Sequence, residues 1–201
     1  KYKGIQSFIN GYACFANEEG LYGIINSKGK ITVTPQFGTI YRIDKEPTNV
    51  ALFSNKGHDA SGMFDITNGK ILAPNKYYFT PFDYSKGLIL FRKDNKRGLM
   101  DSTGKILFHG EYEDFSPGFS PEGLAWIKKE GKYGFMNMKG QVVIPAQYET
   151  VGGFVEGLAK VKSAGKYGFI DPTGKVVIPL VYIDAYNFEE GMTLVKDESG
   201  K

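Results

Sequence analysis

The chain has 201 residues, 41% of them hydrophobic and 14% aromatic, with 26 glycines, nine prolines and a formal charge of +3. That apolar content supplies a sizeable core and excludes a disordered chain, while the glycines and prolines disfavour helix and suit a chain that turns often. The charge is too small to imply nucleic acid by itself, no apolar run approaches the roughly 20 residues of a membrane-spanning helix, and the single Cys14 excludes an internal disulfide framework.

Self-similarity organises everything else. The aligned glycines Gly23, Gly62, Gly98, Gly134 and Gly168 step by 39, 36, 36 and 34 residues, the signature of a repeat array. A single array over 1–201 is expected, with units near 12–49, 50–87, 88–123, 124–157 and 158–191 and an orphan strand at 192–196. Tyr2 and Phe8 repeat the six-residue separation of Tyr148 and Phe154, and the final Ser199-Gly200-Lys201 stops where another strand would follow. Both ends therefore read as cuts through a longer array.

Each unit opens with a short apolar strand A: Tyr12-Ala13-Cys14-Phe15, Val50-Ala51-Leu52-Phe53, Leu88-Ile89-Leu90-Phe91, Leu124-Ala125-Trp126-Ile127, Leu158-Ala159-Lys160-Val161 and the orphan Met192-Thr193-Leu194-Val195. Four apolar residues between glycine and charged turns fit a strand and are too few for a helix. The second place is small except at Ile89, so neighbouring layers are expected to approach closely there. Strand B carries the repeated glycine, as in Tyr133-Gly134-Phe135-Met136 and Tyr167-Gly168-Phe169-Ile170. A glycine inside a strand implies that backbone or a ring packs directly on it. Turns such as Asp171-Pro172-Thr173-Gly174-Lys175 join B to strand C, which reads Val142-Val143-Ile144 and Val176-Val177-Ile178. Pro35, Pro74, Pro145 and Pro179 are expected to end C, because proline cannot continue a ladder. About a dozen residues bearing two aromatics then return to the next A.

Lys132-Tyr133-Gly134-Phe135, Gly140, Val142-Val143-Ile144-Pro145, Tyr148, Phe154 and Glu156-Gly157-Leu158-Ala159, repeated from Lys166, resemble the WG-repeat family. The chain departs from that family's Trp-Gly pair, with Tyr22, Tyr133 and Tyr167 in the Trp place. The resemblance implies a mostly bacterial β-rich repeat module and carries over no catalytic constellation.

Gly-Lys pairs such as Gly104-Lys105 lack the second glycine, the Ser or Thr and the helix of a phosphate loop, and the Asp-x-x-Gly segments lack the ligand set of a calcium loop. His58, His109 and Cys14 offer no metal site or nucleophile–base pair. No cofactor or metal is therefore expected. Trp126 is a candidate contact residue because Lys160 at the equivalent place implies partial exposure, although an aromatic filling a gap between layers is the simpler reading. The A–B turns gather Arg92, Lys93, Arg97, Lys128, Lys129, Lys132 and Lys166 with few acids, so stacked repeats would line one rim with positive charge.

The expected fold is all-β: tandem three-stranded antiparallel meanders of about 36 residues. Sheets packed on both faces favour a propeller-like ring or spiral, whereas cut ends favour an open twisted β solenoid. The expected function is a non-catalytic module that binds another protein or an anionic surface polymer. Its rival is a carbohydrate-processing enzyme or accessory domain using connection carboxylates such as Glu122 and Glu156. The cysteine-poor composition fits an exported or cell-surface protein.

Overall fold

Strands A, B and C pair as an antiparallel meander in each repeat, and the return connection before A supplies a fourth strand. The computed structural model describes residues 2–42, 49–57, 59–85, 87–116 and 118–199. His58, Gly200 and Lys201 lie outside that set. The first sheet runs β1 (Tyr2–Ile5), β2 (Tyr12–Asn17), β3 (Tyr22–Asn26), β4 (Ile31–Phe37). The second contains β5 (Thr39–Arg42), β6 (Val50–Ser54), β7 (Ser61–Asp65), the fifteen-residue β8 (Ile71–Ser85), β9 (Leu88–Lys93), β10 (Lys96–Asp101) and β11 (Ile106–His109), in that order across the sheet. Two four-stranded sheets follow: β12 (Asp114–Phe115), β13 (Leu124–Lys129), β14 (Lys132–Asn137), β15 (Val142–Tyr148), then β16 (Thr150–Val155), β17 (Leu158–Ser163), β18 (Lys166–Ile170), β19 (Val176–Tyr182). A two-stranded sheet of β20 (Asp184–Ala185) and β21 (Val195–Lys196) comes last.

The all-β meander fold is observed, with four strands where three were expected. The reason lies in the return connections, whose paired aromatics give a strand-like inner face. Phe154 is buried and sits opposite Ala159 in the β16–β17 ladder. The orphan A strand is shorter than expected: Val195 and Lys196 pair with β20, and Met192 makes only an isolated bridge to Glu189.

The chain divides into two compact units, Lys1–Leu107 and Phe108–Lys201. In the first unit β6 is buried on both faces. Ala51 and Phe53 pack with Cys14, Ile24, Phe37 and Phe64, while Val50 and Leu52 pack with Met63, Tyr77, Ile89, Phe91 and Met100. The long sheet is therefore folded over through β8, so that β6 and β7 lie against β9 and β10. In the second unit Leu124, Phe135, Ile144 and Tyr148 of one sheet pack against Ala159, Val161 and Ile170 of the next. Ala13, Ala51, Ala125 and Ala159 are no more than 1% exposed, as expected of a place where close-packed layers leave no room for a larger side chain.

The strand-B glycine and the strand-C proline form one device. Tyr133 opposes Tyr148 and Phe135 opposes Ile144, so two residues of β14 span four of β15. The extra length bulges over the glycine: a Cβ on Gly134 would lie 2.3 Å from the Ile144 carbonyl oxygen, and one on Gly168 would lie 2.6 Å from that of Ile178. Proline does not end strand C. Pro35, Pro74, Pro145 and Pro179 all lie inside β4, β8, β15 and β19, at the bulge where no ladder amide is needed.

The B–C turns are closed by their first residue. Asp171 Oδ1 accepts from the Thr173 amide and hydroxyl at 2.9 and 2.6 Å and from the Lys175 amide at 3.0 Å. Asp101 does the same with Thr103 and Lys105, and the Asn137 side-chain oxygen takes the amides of Lys139 and Gln141. The hydrogen bond from the Thr173 hydroxyl, helped by the Lys175 and Thr173 amides, holds the Asp171 carboxyl below its ordinary range. At Asp101 burial pushes upward, and the same set of donors outweighs it.

Candidate functional site

The A–B turns after β9, β13 and β17 are two-residue hairpins whose central residues have positive φ: Asp94-Asn95, Glu130-Gly131 and Ala164-Gly165. The short loop holds the flanking cations in strict register, so their positions follow from the ladder.

In the first unit Arg92 pairs directly with Arg97, and Lys93 with Lys96. Opposite residues of an antiparallel pair project to the same face. Tyr78 of β8 opposes Arg92 from the other side. One face of the hairpin therefore carries a row of Arg97, Arg92 and Tyr78 across three strands, with Arg92 and Tyr78 exposed. The other face carries Lys96 and Lys93. The Lys93 ammonium stands 5.9 Å from the Tyr77 ring centroid and 3.9 Å from Asp94.

The second unit treats its turn cations differently. Lys129 opposes Lys132 and both are exposed, but Glu113 reaches the same turn: its Oε1 accepts from the Gly131 amide at 3.0 Å and its Oε2 lies 3.9 Å from Lys128. Glu149 repeats this one sheet on, accepting from the Gly165 amide. Lys166 pairs with Glu198, whose carboxyl is held below its ordinary range first by that hydrogen bond and then by the ammonium charge. Glu113 and Glu149 thus lie beside the basic turns, because each immediately precedes a return strand that is hydrogen-bonded to strand A.

Trp126 is half-buried and packs against the cluster between the two four-stranded sheets, edge-on to Tyr133 with ring centroids 5.7 Å apart. Its place is partly exposed, as expected, and is also an interlayer place. Lys160, the equivalent residue, donates from Nζ to the Ala185 carbonyl of β20 at 2.8 Å, so the lysine also spans a layer gap. The tyrosines at the Trp place carry lysines: Lys128 lies 5.5 Å from the Tyr133 centroid and Lys162 lies 4.9 Å from that of Tyr167. This pairing was readable from spacing, since each lysine faces its tyrosine across a two-residue turn.

Among the described residues no three His, Cys, Asp or Glu side chains cluster closely enough to hold a metal ion. Likewise, no helix there is long and apolar enough to cross a membrane.

The WG containing repeat profile matches residues 22–56, 62–96, 98–133, 133–167 and 167–201, each match running from strand B through the following strand A. The chain belongs to the WG repeat family. No curated protein matches it. Solved structures similar to this WG repeat chain include BamB from Moraxella catarrhalis, at 9% identity and a TM-score of 0.35 over 96% of this chain and 66% of that one. Hsv2p from Kluyveromyces lactis is 12% identical, with a TM-score of 0.38 over 98% of this chain and 71% of that one. The WD40 β-propeller domain of Doa1 is 10% identical, with a TM-score of 0.31 over 88% and 67%.

Proposed function

We propose that the chain is a non-catalytic binding module whose contact surface is the β9–β10 hairpin and whose partner is an acidic protein segment. The observation that carries this reading is the pairing of Arg92 with Arg97 and of Lys93 with Lys96. Like charges directly opposite on a ladder destabilise it, and this hairpin keeps two such pairs in succession. Guanidinium forks take carboxylates bidentately, and Arg and Tyr are among the residues that dominate protein interfaces. Lys128, Lys129, Lys132 and Lys166, which stand beside Glu113, Glu149 and Glu198, extend the basic surface in this proposal. An exported or cell-surface setting belongs to the same proposal.

The rival enzymatic reading needs free carboxylates in a cleft. Glu156 instead accepts from the Gly191 amide at 2.8 Å, capping a turn one repeat further on. The test is retention of the chain on immobilised polyglutamate and on heparin. Retention on polyglutamate that falls with added salt, and is lost in Arg92→Ser/Arg97→Ser, supports the proposal. Retention unchanged by that double substitution overturns it, and retention on heparin alone reassigns the hairpin to a sulfated polymer.

A further inference from the structure

The carboxylate that steadies two A–B turns of the second unit is missing from the turn between β6 and β7 of the first. Gly38, Glu113 and Glu149 are equivalent residues: their amides donate at 2.8 Å to the Ser54, Lys128 and Lys162 carbonyls. Glu113 accepts from the Gly131 amide at 3.0 Å and Glu149 from the Gly165 amide, whereas Gly38 has no side chain to offer. The turn is otherwise built alike, since Gly57 takes a φ of 79° where Gly131 and Gly165 take 72° and 75°. It is also longer: Ser54 opposes Ser61 while Lys128 opposes Tyr133, a gain of two residues. A Cβ on Gly38 would lie 2.5 Å from the Lys56 nitrogen, so strand and turn touch backbone to backbone and no side chain at 38 can supply the acid. Beside that contact is a hollow of about 390 Å³ whose wall includes Gly38, Thr39, Ser54, Lys56, Gly57 and Asp59.

We propose that this hollow is a binding site for an α-carboxylate, the group shared by a free α-amino acid and a peptide C-terminus. The internal copies define the anion, because at two equivalent turns a carboxylate oxygen takes the glycine amide, and hydrogen bonds to an ionised acceptor are the stronger kind. Charge agrees. Lys56 stands two residues after Ser54, as Glu130 does after Lys128 and Ala164 after Lys162, so this turn carries a cation where one copy carries an acid and the other is neutral. The Thr39 and Ser54 hydroxyls add donors. Asp59 selects within the class: it repels a bare dianion and accepts from a nitrogen beside the carboxylate, which an α-amino acid and a peptide terminus both carry. Lys56 and Asp59 are exposed, and among the described residues neither forms an ion pair. The site lies on a different hairpin from the Arg92–Arg97 row, so either proposal can fail alone.

The probes are alanine, N-acetyl-trialanine with a free C-terminus, the same peptide amidated, acetate and inorganic phosphate, each titrated into the chain and followed by amide chemical shifts. Saturable shifts at Lys56 and Gly57 are expected from alanine or from the free-acid peptide; alanine alone assigns the site to free amino acids, and the peptide alone assigns it to chain ends. Lys56→Glu should weaken that binding about tenfold, while Lys28→Glu, at another exposed turn, should leave it unchanged. Asp59→Asn should weaken alanine or the free-acid peptide and spare acetate. Retention on polyglutamate should survive Lys56→Glu, which separates this site from the Arg92–Arg97 row. The proposal is overturned if neither α-carboxylate probe shifts those amides, if Lys56→Glu binds as the parent does, or if the amidated peptide binds as well as the acid. Tighter binding of phosphate, or of acetate, than of both α-carboxylate probes overturns it too.

Discussion

The carbonyl oxygen of Ile144 occupies the space beside Gly134 where any side chain would begin, 2.3 Å from the position of a Cβ. The contact is with backbone in a bulge, so it cannot be relieved by a rotamer change. Gly134→Ala should therefore destabilise the second unit by roughly 1–3 kcal/mol, the range for overpacking a filled site. Gly153→Ala is the control, since a Cβ there meets nothing within 4 Å and its φ is not positive, and its effect should stay within about 0.5 kcal/mol. Denaturant melts of both variants check the difference.

Asp171 is hydrogen-bonded as a carboxylate and its pKa is lowered in the folded chain. A lowered folded-state value means the group contributes stability above its unfolded pKa, near the ordinary 3.8, and that this contribution is lost as pH falls through the folded value. Asp171→Asn should flatten the acid limb of the stability curve below that pH while keeping the turn, because Asn26 and Asn137 already close equivalent turns with a neutral oxygen. Thermal melts between neutral pH and the acid limb check it. An acid limb as steep in Asp171→Asn as in the parent would contradict it.

Trp126 fills a layer gap, so its removal should act on stability before it acts on any partner. Trp126→Ala is expected to cost roughly 2–3 kcal/mol, below the range for fully buried aromatics because the ring is only half-buried. Trp126→Leu should recover much of that. A Trp126→Ala chain with unchanged unfolding midpoint and lost partner binding would instead make the ring a contact residue.

The Arg92–Arg97 pair predicts a trade. Arg92→Ser, which removes the exposed member of that pair, should stabilise the β9–β10 hairpin by up to about 1 kcal/mol at low salt, with the gain fading as ionic strength rises and screens the repulsion. Retention on an acidic matrix should fall in the same variant. Unfolding midpoints measured across a salt series, beside retention times, test both halves.

Much of this architecture is legible in the residues, because the repeat restates each rule several times. The A strands, the packing glycine and the Asx-closed turns follow from spacing and side-chain chemistry alone. The fourth strand was less visible: Tyr148 and Phe154 stand in a connection of about a dozen residues, and only the ladder of β16 on β17 shows that the connection is itself extended. Pro145 misled for a related reason. A proline forbids a ladder amide but not a strand, and the bulge over Gly134 removes the need for that amide. Charge was the hardest to place, since Glu113 is distant from Gly131 in sequence and becomes its partner only once the return strand is in place. Lys160 is partly exposed, as its charge implies, but the reach of its long stem to the Ala185 carbonyl could not be read from the sequence.

β8 has the last consequence. Its fifteen residues serve one repeat as strand C and the next as the return strand without a break, so there is no hinge at that repeat boundary. A nick, an insertion or a slipped register within it would strike both neighbours at once, and those two repeats should melt as a single cooperative block. Elsewhere the array can be opened with less damage: a nick at one of the two-residue A–B hairpins would leave the strands on both sides whole, whereas one within β8 would not.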